Sequence, residues 1–88
     1  MPHSLSPAQC RAARGLLDWT QEDLAEAADV SRSTVRDFEK GRHDLNRASA
    51  AQITAAFERA GVVLIAAGEM GPGVRLLRPP SGRPDGTL

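Results

Sequence analysis

Four polar residues, Ser6, Thr20, Ser31 and Asn46, each stand just before a run of helix-forming residues, and together they partition the first 61 positions. Such residues are favoured at helix N-caps because the side-chain oxygen accepts a bond from an orphaned backbone N–H. Ser6-Pro7-Ala8-Gln9 is the fullest case, with Pro at the first helical position and Gln at the third, the pattern of a capping box. The first helix is predicted to run to about Leu17, burying Cys10, Ala13 and Leu17 with Leu16 beside them. Thr20 caps a second through about Ala28, with Glu22 and Asp23 near its positive end. Ser31 opens a third that ends at Gly41; Asn46 opens a fourth, through Ile53, Ala56 and Phe57 to Ala60, stopped by Gly61. Helices this short are marginal alone in water, so they must pack on one another. Composition suits that: 41% of the 88 residues are hydrophobic, alanine foremost, with two Phe, one Trp and no Tyr.

After Gly61 the pattern changes. Val62-Val63-Leu64-Ile65 and Val74-Arg75-Leu76-Leu77-Arg78 are short β-prone runs, separated by the turn-rich Ala66–Gly73 stretch, which predicts a hairpin with a long loop. From Pro79 the chain has nothing to bury and is expected to be disordered. The organisation is then a helical domain over 1–61, a hairpin over 62–78 and a tail over 79–88. No run of 18 apolar residues exists, so no membrane helix and no membrane partner is expected. The N-terminus lacks the plan of a signal peptide, and the single Cys10 fits a reducing cytoplasm.

The formal net charge is zero, with 11 basic and 11 acidic residues, but the charges are segregated. Residues 18–29 carry five acids and no base, whereas residues 31–47 carry five bases against three acids. Arg11 and Arg14 precede them without any acid. This asymmetry, rather than the total, bears on a nucleic-acid partner.

Residues 21–40 carry the most information. On a helical wheel for 31–40, Val35 and Phe38 define an apolar arc with Glu39 at its edge. Arg32, Ser33, Arg36, Asp37 and Lys40 fall on the opposite arc, about 140° wide. Guanidinium forks there match guanine O6 and N7, and Lys matches phosphate. Ala25 is small enough for two helices to cross closely, and Asp29 occupies a turn position where positive φ is needed and Gly is usual.

Thr20-Gln21-Glu22-Asp23-Leu24-Ala25 followed by Val30-Ser31-Arg32-Ser33-Thr34-Val35 and Glu39-Lys40-Gly41 resembles the phage-repressor (Cro/repressor, XRE-type) helix-turn-helix family, over about residues 7–60. The resemblance implies a mainly α, lambda-repressor-like bundle of four short helices, here with a C-terminal β-hairpin. It implies a phosphate contact, sometimes a base contact, for Gln21. Arg32, Ser33 and Asp37 match base-reading positions, with Thr34 and Arg36 beside them; Lys40, Arg42 and His43 follow where phosphate is gripped. Asp37 either accepts from cytosine N4–H or pairs with Lys40 along the same face. Arg14 and Glu39 match an ion pair that maintains the fold, and Trp19 reads as a lid over the core.

A catalytic reading finds no support: Cys10 lies on an apolar face, and neither His3 nor His43 has metal-ligand spacing. No cofactor and no metal are expected. The hairpin is predicted to dimerise the protein through Val62, Val63, Leu64, Ile65, Val74, Leu76 and Leu77, because two apolar strands cannot stand alone in water. The function expected is that of a homodimeric, sequence-specific transcription regulator of bacterial or phage type, acting on duplex DNA at a palindromic operator. The alternative is an antitoxin-type module that binds a partner protein and regulates its own operon.

Overall fold

The computed structural model describes residues 5–77. Four helices, α1 (Pro7–Leu17), α2 (Gln21–Ala28), α3 (Arg32–Glu39) and α4 (Arg47–Arg59), precede two strands, β1 (Val62–Ile65) and β2 (Gly73–Leu76). Each helix opens on its expected cap: Ser6, Thr20, Ser31 and Asn46 all accept from the backbone N–H three residues on. Ser6 and Gln9 form a reciprocal capping box, and so do Thr20 and Asp23.

The first three helices also end alike. Asp18 and Asp29 (φ 59° each) and Gly41 (φ 77°) take the left-handed conformation. In each turn the left-handed residue's N–H bonds three residues back, and the next N–H bonds five back: Trp19 to Arg14, Val30 to Ala25, Arg42 to Asp37. This is the Schellman arrangement, which satisfies carbonyls the helix leaves open. Only Gly takes that conformation without a Cβ cost, so two of the three turns store some strain in an Asp. The negative end of α2 is served from outside as well, because Arg59 Nη2 donates to the Ala27 carbonyl at 3.1 Å.

The core joins α1, α2, α3 and α4 through Cys10, Leu24, Val35, Ile53 and Phe57, all fully buried, and Val62 closes it from the hairpin. Trp19 stacks on Phe57 at 6.1 Å between centroids, as a lid over this core. Ala25 and Ala28 of α2 are buried in the same core. One expectation fails on α1: Leu16 is 36% exposed, while Gln9 is buried in its stead. These two share a line along the helix, seven residues apart. The hairpin covers the Gln9 end, where Nε2 donates to the carbonyls of Ile65 and Gly73 at 3.0 Å each, and leaves Leu16 open.

The strands pair antiparallel with Val62 opposite Leu76, Val63 opposite Arg75, Leu64 opposite Val74 and Ile65 opposite Gly73. Val62, Leu64, Val74 and Leu76 therefore share the face that packs on the core. Val63, Ile65 and Arg75 share the other. The second strand is shorter than the sequence predicts, ending at Leu76; Leu77 is exposed although its N–H still reaches the Gly61 carbonyl at 2.8 Å. Arg78 and the expected disorder of 79–88 lie outside the described residues, as does His3.

Candidate nucleic-acid interface

The α2–turn–α3 unit is held from below and open above. Val35, Phe38 and Glu39 are buried, so the orientation of α3 about its axis is set by packing. The opposite arc then faces solvent: Arg32, Ser33 and Lys40 are exposed, and Thr34, Arg36 and Asp37 are half-buried. Arg42 and His43 follow, both exposed, and their N–H groups donate to the Asp37 carbonyl at 2.8 and 3.4 Å. The polar arc read from the wheel is thus the free surface of the helix.

Two details on this surface go beyond the sequence reading. Ser31 Oγ lies 2.8 Å from Thr34 Oγ1 and 3.2 Å from Ser33 Oγ, so the cap gathers the first hydroxyls of α3 into one cluster. Asp37 pairs with Arg36, Oδ1 to Nε at 3.3 Å, and not with Lys40. Adjacent residues on a helix point about 100° apart, so sequence spacing favours the pair three residues on. A long Arg side chain lying along the surface overrides that spacing. Beside Asp37 a shallow depression opens, lined by Ser33, Thr34, His43, Asn46 and Ser49.

Beneath the surface, Glu39 joins three helices, α1, α2 and its own α3. Arg14 donates through Nε to Oε2 and Nη2 to Oε1, both at 2.8 Å, a two-pronged fork. Gln21 Nε2 donates to Oε1 at 3.0 Å, and Cys10 Sγ donates to Oε2 at 3.1 Å. Arg11 Nη1 caps the Glu39 carbonyl at 2.6 Å, and Arg14 Nη1 reaches the Trp19 carbonyl at 3.0 Å. Burial pushes the Glu39 carboxyl up, but bonds from Arg14, Gln21 and Cys10, with Arg14's charge, outweigh it and hold the group below its ordinary range. The Cys10 thiol moves the other way: burial first, then its bond to Glu39, push it far above the ordinary thiol range. Cys10 is a proton donor locked in the core, not a nucleophile.

The Arg14–Glu39 pair stands where the sequence places it. The roles of Cys10, Arg11 and Gln21 around it were not foreseen. One signal was available: Cys10 lies four residues before Arg14, on the same helical face. Gln21, expected at phosphate, spends one amide hydrogen on Glu39 and keeps the other.

A helix-turn-helix family model matches residues 11–60. The chain belongs to the helix-turn-helix family. A comparison with curated proteins finds no match. As a helix-turn-helix, the protein is a DNA-binding transcription regulator of a family that is not typically enzymatic. Among the described residues, no helix is long and apolar enough to cross a membrane. In this helix-turn-helix the buried Glu39 network sits directly under the exposed arc of α3. It ties that arc to α1 and to the start of α2.

Proposed function

We propose that this helix-turn-helix protein is a homodimeric, sequence-specific regulator that lays α3 into the major groove of a palindromic operator. The observation that carries this reading is the two-sided build of α3, with Val35, Phe38 and Glu39 anchored below and Arg32, Ser33, Thr34, Arg36 and Asp37 facing out. In this reading Arg32, Ser33, Thr34 and Arg36 read base edges from that arc, while Gln21, Lys40, Arg42 and His43 hold phosphates on either side. The hairpin supports the dimer: Val63, Ile65 and Leu77 leave an apolar outer face, and Val62, Leu64, Val74 and Leu76 hold that face against the core.

Selection of bound sequences from a random duplex library is the first test, and a palindromic consensus is the expected outcome. Arg32→Ala then costs ~1–3 kcal/mol on the selected site and little on random DNA. Arg42→Ala weakens both alike and lowers the salt slope by about one phosphate contact. A library that yields no enrichment, with a partner protein retained on the hairpin, would favour the antitoxin-type reading of the same fold.

A further inference from the structure

We propose that Asp37 is a positioning residue, whose carboxylate holds Arg36 by Nε so that Arg36 presents its two terminal nitrogens to a guanine. This rests on the DNA-reading role of α3 and adds an assignment within it.

Three observations lead here. The Arg36 Nε donates to Asp37 Oδ1 at 3.3 Å, and among the described residues neither terminal nitrogen of Arg36 has a partner. The Asp37 side chain is the more sheltered of the two, 24% exposed against 40% for Arg36. Its backbone is also fixed, since the Asp37 carbonyl takes the N–H groups of Arg42 and His43 where the chain leaves α3. The shorter, more sheltered carboxylate is therefore the less mobile partner, and the long, more exposed guanidinium is the movable one.

The consequence is geometric and electrostatic. With Nε occupied, the side-on fork of Arg36 is closed, and the end-on pair of N–H groups remains, with the spacing that guanine O6 and N7 accept. A lone Arg on a DNA-facing helix is drawn to phosphate, which carries no sequence information. A carboxylate beside it cancels most of that pull and leaves directional hydrogen bonding as the attraction. Asp37 thereby turns a general cation into a reader.

The test is a double-mutant cycle on a selected operator, read as base preference at every position and as salt dependence. Asp37→Asn is expected to bind random duplex more tightly, with a salt slope steeper by about one contact. It should also lose roughly tenfold of the preference for the guanine that Arg36→Ala abolishes, within the span of a bidentate base contact. In an Arg36→Ala background, Asp37→Asn should have no further effect on preference, since coupled residues are not additive. Asp37→Glu, which can still reach Nε, should restore part of the preference. Melting followed by Trp19 fluorescence checks that every variant is folded. Additive effects, with a cytosine position that responds to Asp37 alone, overturn the proposal in favour of direct reading. A preference unmoved by Asp37→Asn overturns it as well. Wild-type protein that selects no sequence overturns the DNA-reading role itself, a separate result.

Discussion

Glu39 shows how much one side chain can carry when it is buried with its partners complete. Its side chain is 2% exposed and accepts from Arg14, Gln21 and Cys10, so every lone pair that burial would strand has a donor. Glu39→Ala leaves the Arg14 guanidinium without its counter-charge. Breaking a buried pair costs ~3–5 kcal/mol, and the 19% exposure of Arg14 places the expected loss near the lower end, about 3 kcal/mol. The pH dependence has a definite sign. The folded carboxyl titrates below its unfolded value of ~4.3, so its stabilisation is complete above that pH and is lost as pH falls through the folded value. Thermal melts in steps from about pH 7 into acid should show a lower midpoint for Glu39→Gln at neutral pH and a shallower decline below it. Parallel acid profiles for wild type and variant would remove Glu39 from the acid response. The Arg14–Glu39 match was legible through the family resemblance although 25 residues separate the two; Gln21 was not, and for Cys10 the one local signal was its place a turn before Arg14.

At the scale of elements, the helix starts were legible because an N-cap is a local contract between one side chain and a backbone N–H three residues on. The helix ends were less so. A left-handed residue announces itself when it is glycine, as at Gly41, and hides when it is Asp18. Both Asp18 and Asp29 also put a negative charge at the negative end of a helix, where the macrodipole disfavours it. Asp29→Gly relieves the Cβ clash and the charge together, against a larger loss of backbone entropy. We expect a net gain of about 0.5–1 kcal/mol, read as a rise of roughly 4–8 °C in Tm per kcal/mol for a domain of this size. Asp29→Asn should fall between the two, since it removes the charge and keeps the Cβ. A Tm that falls on Asp29→Gly would mean the carboxylate has a stabilising partner in solution. The hairpin was legible as two strands, and its attachment was not: the Gln9 clamp joins α1 to carbonyls of Ile65 and Gly73, 56 and 64 residues on.

On the scale of the whole molecule, the hairpin has one face packed on the core and one face turned away from it. Its inner side chains, Val62 above all, complete the core that holds α1 and α4, so cutting the chain after Gly61 would strip the core as well as any interface. A clean test must touch the outer face alone. Ile65 and Val63 are half-buried there, opposite Gly73 and Arg75, and the neighbouring Leu77 is 65% exposed. Covering that face with its own copy is a two-fold solution, and a two-fold axis would set two copies of α3 about 10–10.5 bp apart, or a multiple of that. Each half would contribute its own phosphate contacts, so losing the second copy would cost more than losing any single Arg or Lys. Ile65→Asp places a carboxylate on the outer face without entering the core. The expected result is a monomer by light scattering, with an unchanged melting profile at low concentration and a loss on the palindrome larger than that of Arg42→Ala. Binding to a single half-site should be unaffected. A variant that stays dimeric moves the contact to the helices; one that is monomeric and still binds the palindrome as tightly as wild type removes the hairpin from operator recognition.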